Sequence, residues 1–139
     1  NVANGTVFSH FATKVAILKY SFENELTDIL STAESLDTST TATDRMYHYA
    51  RFLYAFYLAK KEFSRELFKE IMWQQNELEP QLNAFKKRLI NDNDATPTDA
   101  DIIIDLYFMT LMDGLNHADS SVDSMLATLK IKLAKININ

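Results

Sequence analysis

The scarcity of glycine and proline, two residues of each in 139, most constrains the fold of this chain. Folds made of many short strands need frequent tight turns, and those turns favour glycine and proline. The chain is instead rich in leucine, alanine, lysine and glutamate, which favour helix. With 47% hydrophobic and 24% charged residues, it is long enough to bury one sizeable core. The sequence therefore predicts an all-α protein.

Apolar residues at helical spacing place the first elements. Residues 3–11 are predicted to form a short helix, and Thr13 is predicted to cap a long one. The apolar side chains of that long helix are Ala16, Ile17, Tyr20, Leu26, Ile29, Leu30 and Ala33. The polar stretch 37–43 predicts a loop that ends in an N-cap at Thr43.

Three further segments continue the helical pattern. Residues 44–59 are apolar almost all round, which is typical of a central, buried helix. Residues 60–73 form an amphipathic helix, and residues 78–89 carry the apolar stripe of the next one. Pro80 either occupies the first turn of that helix or kinks a longer helix that continues from Trp73.

The last two helices have clear starting points. After a break at 91–94, Thr96 is predicted to cap a helix with Pro97 at its first position and Asp99 reaching back. Residues 119–121 are predicted to form the last turn of that helix. The stripe of the final helix is Val122, Met125, Leu126, Leu129, Leu133 and Ile136.

Several functional classes are disfavoured by the residues present. The chain has no cysteine, which excludes disulfides and thiolate metal sites and suits the cytoplasm, where we expect the protein. The most apolar window, 52–59, is too short to span a bilayer, so we expect no membrane association. We find no glycine-rich phosphate loop, nucleophile elbow or His-Glu-x-x-His helix. The sequence predicts neither an enzyme nor a cofactor.

Two Asp–His pairs could suggest a metal site. Asp44 and His48, and likewise Asp113 and His117, are four residues apart and share a helical face. Two such pairs form a site only if their helices meet, and the Glu-x-x-His pattern of di-iron bundles is absent. We attribute the pairs to helix caps and surface hydrogen bonds and predict no metal.

Charge is distributed unevenly along the chain. Residues 1–22 contain two lysines and no acidic residue, whereas the remainder contains 12 basic and 19 acidic residues. The net charge of −5 alone argues against DNA binding, because phosphates favour basic surfaces. A basic beginning on an acidic body fits a regulator whose body faces solvent, a ligand or a second copy.

The basic beginning also carries a motif. Residues 1–14 read NVANGTVFSHFATK, and they resemble the second half of the helix-turn-helix in tetracycline-repressor-like (TetR) transcriptional regulators. The residues in register with that family's pattern are Val2, Gly5, Thr6, Val7, His10, Phe11 and Lys14. Phe8 replaces the family's tyrosine and lacks its hydroxyl, while Asn1 and Ala3 replace a glycine and a serine.

The resemblance implies a TetR-like all-α fold and a division of the chain. Residues 1–18 would be the end of the DNA-binding domain, namely the recognition helix and the start of a connecting helix. Residues 19–139 would form the effector-binding and dimerisation domain. Because the motif begins halfway, we expect a shortened form of a longer regulator, without the first two helices of that domain.

The family pattern also implies roles in binding operator DNA. Asn4, Thr6 and Ser9 would face the major groove, where an asparagine can read adenine through two hydrogen bonds. Thr6, His10 and Lys14 would hold phosphates, and Phe8 occupies a position at which the family has a phosphate-binding hydroxyl.

Aromatic residues between positions 47 and 108 suggest a ligand cavity. Most must be ordinary core, but several tyrosines and Trp73 bring polar atoms that need partners when buried. Mostly apolar cavities with a few polar anchors are typical of small-ligand sites. The predicted lining residues are Tyr47, Arg51, Tyr54, Phe68, Trp73, Phe108 and Met112. Arg51 would meet an anionic end of the effector or, equally well, a nearby acidic side chain.

The apolar stripes of the last two helices need cover, either from a second copy or from the chain's own core. The resemblance implies a homodimer through these helices, as a four-helix bundle. The sequence thus predicts a ligand-responsive DNA-binding regulator, most simply a repressor released from its operator by a small, mostly apolar effector. The alternatives are a helical small-ligand carrier or sensor that does not bind DNA, and a dimerisation module with a solid core.

Overall fold

The structure, a computed structural model, describes most of the chain. The backbone is described for residues 2–73, 75–90 and 95–136, and the side chains for 19–70, 72–73, 79–80, 82–90 and 95–136. The described residues form six helices: α1 (Val2–Ser35), α2 (Ala42–Ala59), α3 (Lys61–Ile71), α4 (Gln75–Ile90), α5 (Pro97–Asn116) and α6 (Val122–Lys135). The predicted all-α class is confirmed for these residues. None of the six helices combines the length and apolar character needed to cross a membrane.

Helix α2 is the centre of the fold, as its apolar sequence predicts. It packs against all five other helices, and it buries Met46, Tyr49, Ala50, Leu53, Tyr54, Phe56 and Tyr57. Its N-cap is Thr41, whose hydroxyl accepts a hydrogen bond from the Asp44 N–H at 3.2 Å. The predicted cap at Thr43 is wrong, because Thr41 has the extended backbone that a cap needs and Thr43 already lies in the first turn.

Helix α1 packs on α2 through aromatic residues. The Phe22 ring lies 4.6 Å from that of Phe56 and 5.0 Å from that of Phe63, so this one side chain joins α1, α2 and α3. Tyr20, which belongs to the apolar residues that predicted this helix, is 68% exposed. Two residues along a helix turn by about 200°, so a helix that buries Phe22 must expose Tyr20.

Helices α3 and α4 differ from both alternatives that the sequence left open. The helix that begins at Lys61 ends at Ile71, and a turn over 72–73 follows it. Pro80 lies inside α4, beyond the first turn of a helix that does not continue from Trp73. The predicted break at 91–94 lies outside the described residues.

Both C-terminal helices begin with a capping box. The Thr96 N–H donates to Asp99 Oδ2 at 2.9 Å, and the Asp99 N–H donates to Thr96 Oγ1 at 3.1 Å, as predicted. Ser121 and Ser124 form the equivalent pair at α6. Residues 119–121 therefore belong to the connection before α6 and not to the last turn of α5, which ends at Asn116.

The apolar stripe of α6 is covered by the chain's own core. Met125, Leu126, Leu129 and Leu133 are all buried, and α6 packs on α2 and α5. The three large hydrophobic side chains that α5 and α6 leave exposed are Ile102, Met109 and Ile131. A second copy is therefore not needed to cover the stripe itself.

A largely buried arginine holds the loop between α1 and α2. Arg45 donates from Nε to Asp37 Oδ2 at 2.8 Å, from Nη1 to the Arg88 carbonyl at 2.9 Å and from Nη2 to the Ser39 carbonyl at 3.0 Å. Burial of the Asp37 carboxyl raises its pKa, but hydrogen bonds from Ser39 and Arg45 outweigh this and lower the pKa overall. This Asp37–Arg45 clasp ties the loop to the end of α4.

Candidate functional site

The motif that resembles the TetR helix-turn-helix lies in the first part of α1. The backbone of residues 2–14 is helical, so the predicted separation of a short helix from a long one at Thr13 is wrong. No proline or glycine follows Gly5 in α1, so no residue there favours a break. The motif and the part of α1 that packs on α2 are thus one continuous helix.

The six residues predicted to contact DNA share this helical backbone. They are Asn4, Thr6, Phe8, Ser9, His10 and Lys14, and their side chains lie outside the described residues. The DNA-contact prediction therefore stays a prediction.

The seven residues predicted to line an effector cavity do not surround one common space. Tyr54 is fully buried, stacks on Tyr107 at 5.3 Å and donates its hydroxyl to the Tyr107 carbonyl at 2.8 Å. Trp73 is 90% exposed because the turn between α3 and α4 carries it away from the core. Tyr47 is half-buried, with Lys130 Nζ 5.9 Å from its ring centre.

The phenol groups of the core tyrosines are shielded from solvent. Burial raises the pKa of Tyr57 to about 12 and raises that of Tyr54 as well. Burial also places the pKa of Tyr107 well above its usual value. These phenols stay neutral across the physiological range, and Tyr54, Tyr57 and Tyr107 are buried in the aromatic part of the core.

Two open clefts instead border the described core. The first, which we call the α2–α6 cleft, has a volume of about 600 Å³. It lies between the end of α1, the outer face of α2 and the start of α6. It is lined by Leu36, Thr38, His48, Arg51, Phe52, Val122, Asp123 and Leu126. Of the predicted ligand-binding residues, Arg51 is the one that lines it.

Local sequence spacing explains the α2–α6 cleft. Arg51 and Phe52 follow His48 by three and four residues and so lie on the same side of α2, and Leu126 follows Val122 by four residues on α6. That spacing is visible in the sequence, but His48, Phe52 and Leu126 were not among the predicted ligand-binding residues. The sequence does not show that this face of α2 and this face of α6 border the same space.

His48 connects the α2–α6 cleft to α1. Its Nε2 lies 2.7 Å from the Ala33 carbonyl oxygen. Because a carbonyl can only accept, Nε2 carries the hydrogen and donates it. The ring also packs edge-on against Phe52, with the ring centres 5.3 Å apart. A side chain that lines the cleft is therefore hydrogen-bonded to the last turns of α1.

Arg51 is the free cation of the α2–α6 cleft. Its side chain is exposed, and it makes no hydrogen bond or ion pair with any other described residue. The alternative of an ion pair with a nearby acid thus finds no support among the described residues. Asp123 lines the same cleft but is not within ion-pair distance of Arg51. It lies in the first turn of α6, where the helix dipole favours a negative charge.

The second cleft, of about 540 Å³, lies between α3 and α5. Its lining includes two of the predicted residues, Phe68 and Met112, along with Met72 and Met109. Phe68 is buried and meets Phe108 edge to face at 5.5 Å. The predicted set is therefore divided among the α2–α6 cleft, this α3–α5 cleft, the core and the surface.

In each Asp–His pair, the histidine contacts a backbone carbonyl. His117 Nδ1 lies 2.7 Å from the Asp113 carbonyl oxygen, a contact within the end of α5, and His48 bonds to α1 as described above. Within the described residues, no three His, Cys, Asp or Glu side chains are grouped so that they could hold a metal ion.

Comparison with protein-family models, with curated proteins and with solved structures finds no match to this chain. The assignment of function therefore depends on the residues and their geometry.

Proposed function

We propose that this protein is a DNA-binding transcriptional regulator that responds to a small, mostly apolar effector. The observation that carries the proposal is the TetR-like motif of residues 2–14, which lies on the same helix that packs on α2 and ends beside the α2–α6 cleft. A ligand site and a DNA-contacting segment would then sit at opposite ends of one helix.

Because α1 is long, a small tilt at one end of the helix produces a large displacement at the other end. Its 34 residues span about 51 Å at about 1.5 Å per residue. A tilt of about 5° at the end near Ala33 moves the helix near Gly5, 28 residues away, by about 4 Å at the same rise per residue. Paired recognition helices must match half-sites roughly 34–36 Å apart, so such a shift is enough to spoil the fit.

Effector control would work as a population shift between two positions of α1. With the α2–α6 cleft empty, α1 would hold the recognition segments at the operator spacing. An effector that prefers the tilted position would weaken operator binding, and the operator would weaken effector binding by the same factor. Repression relieved by the effector is the simplest outcome of this scheme.

The test is DNA binding by the full-length gene product, measured as fluorescence anisotropy on its own promoter region over a series of salt concentrations. We expect specific binding that weakens steeply with salt, and a slope shallower by about 1 for Lys14→Ala, because one phosphate contact is lost. Lys19→Ala removes the same charge from the same helix outside the motif and should leave the slope unchanged. Binding no tighter than to random DNA would overturn the proposal.

A second candidate is a helical carrier or sensor that binds an apolar ligand and does not bind DNA. It is favoured by one observation, namely that both clefts are formed by residues 36–126, without any part of the motif. Ligand uptake by a protein that shows no promoter preference in the same anisotropy series would support it.

A further inference from the structure

We infer that the α2–α6 cleft binds an amphipathic carboxylate, with Arg51 on the carboxylate and the apolar tail along Phe52, Val122 and Leu126. Binding of such a ligand does not depend on DNA. Its role as the effector rests on the function proposed above.

The charged residues of the α2–α6 cleft determine which head group of a ligand it can bind. Arg45 and Arg88 are both ion-paired, whereas Arg51 has no partner among the described residues. An arginine presents a planar fork of donors that matches the two oxygens of a carboxylate. Asp123 lines the same space, so a second negative charge on the ligand would be repelled. A singly charged carboxylate therefore suits this cleft better than a phosphate.

The other residues that line the cleft determine which kind of ligand tail it can hold. Phe52, Val122 and Leu126 are apolar, and Leu36 at the end of α1 is 59% exposed. Contact of a ligand's methylene groups with these side chains favours binding, because it removes apolar surface from water. A volume of about 600 Å³ lies within the usual range for small-molecule sites. An alkyl or aryl tail of moderate length fits this description, and a fully polar ligand does not.

The position of the α2–α6 cleft links its occupant to α1. Leu36 and Thr38 directly follow α1, and His48 donates a hydrogen bond to Ala33 within it. The same loop is held on its other side by the Asp37–Arg45 clasp. A tail that fills the cleft therefore contacts Leu36, directly after α1, and lies beside His48, which is hydrogen-bonded to α1.

The probes that test this inference are decanoate and 1-decanol, which share a chain length and differ in charge. Isothermal titration calorimetry of the full chain, below the micelle concentration of either probe, should show decanoate binding about tenfold tighter. A charge-assisted hydrogen bond contributes enough for such a factor. Arg51→Gln should abolish this preference while leaving decanol affinity within about twofold. Asp123→Asn should tighten decanoate binding, because it removes the repulsion.

Arg65→Gln is the matched control, since Arg65 is an exposed arginine that lines the other cleft. It should leave decanoate binding unchanged. Equal affinity for the two probes in the wild type, a preference that survives Arg51→Gln, or one lost in Arg65→Gln would each overturn the inference. Because no DNA is present, failure here is distinct from failure of the promoter-binding test.

Discussion

Gly114 shows how the absence of one side chain lets two helices approach each other closely. A Cβ at this position would lie 2.5 Å from both Sδ and Cε of Met125 on α6. Glycine inside a helix is less favourable than alanine by about 1 kcal/mol. Its presence in α5 is therefore explained by close packing and not by local helix stability.

Two opposing effects determine the result of Gly114→Ala. The methyl group favours the helix by about 1 kcal/mol, but overpacking against Met125 costs about 1–3 kcal/mol. We expect a net decrease of about 1 kcal/mol in the free energy of unfolding. In a Met125→Ala background the clash is absent, and the same substitution should instead stabilise by about 1 kcal/mol. Urea unfolding of the four proteins measures both values, and the same sign in both backgrounds would contradict this explanation.

Residue-scale predictions succeed where the determinant is local. The box formed by Thr96 and Asp99 depends on residues three apart, and the sequence was enough to predict it. The choice between Thr41 and Thr43 as a cap is not local, because a run of equivalent hydroxyl side chains precedes α2. Which of the two threonines caps α2 depends on the contacts that hold the loop, and the local sequence does not determine those contacts.

At the element scale, the Asp37–Arg45 clasp joins three segments that are distant in sequence. It connects the loop before α2, α2 itself and the carbonyl end of α4. The side chains of Asp37 and Arg45 are 10% and 16% exposed, so the pair is largely shielded from water. Shielding makes the loss of one partner costly, because the other stays buried without its counter-charge.

Asp37→Asn should therefore lower the free energy of unfolding by about 2 kcal/mol at pH 7, the scale of a hydrogen bond to a charged group. The Asp37 pKa is lowered on folding from its ordinary value of 3.8. Its contribution is thus present above pH 3.8 and is lost as the pH falls through the lower folded value. Denaturant unfolding from pH 7 downwards should show the difference between wild type and variant shrinking only below about pH 4.

Asp119→Asn provides the control for this measurement, since Asp119 is exposed in the connection before α6. It should change stability by less than about 0.5 kcal/mol at every pH. A difference for Asp37→Asn that is unchanged at pH 3 would show that the clasp does not act through the charge of Asp37.

Element-scale predictions succeed for helix existence and fail for helix ends. The apolar character of residues 44–59 correctly predicted the central helix, because burial on all sides leaves a clear pattern. The break at Thr13 was wrong because a threonine fits a cap and a helix interior alike. Similarly, the α2–α6 cleft could not be predicted, because the sequence of neither helix alone determines the distance at which α2 and α6 pack.

At the scale of the whole molecule, the surface of α6 bears on self-association. Ala127, Ile131 and Ala134 are exposed and lie on one face at spacings of four and three residues. Ile131 is 63% exposed. Because the stripe of α6 that faces α2 and α5 is already covered within the chain, a dimer through α6 would have to use this outer face. Two small residues beside Ile131 would let a second helix approach closely.

The regulator proposed here requires such a dimer, since two recognition segments must read two half-sites. We expect Ile131→Lys to shift the protein from dimer to monomer in sedimentation velocity at micromolar concentration, because it places a charge in an apolar contact. The fold should be retained, as Ile131 packs in no part of the described core. Trp73→Ser removes a more exposed apolar side chain at the turn between α3 and α4 and should leave the dimer intact. If Trp73→Ser dissociates the dimer and Ile131→Lys does not, the subunits associate through the α3–α4 turn, and the spacing of their recognition segments must be set there instead.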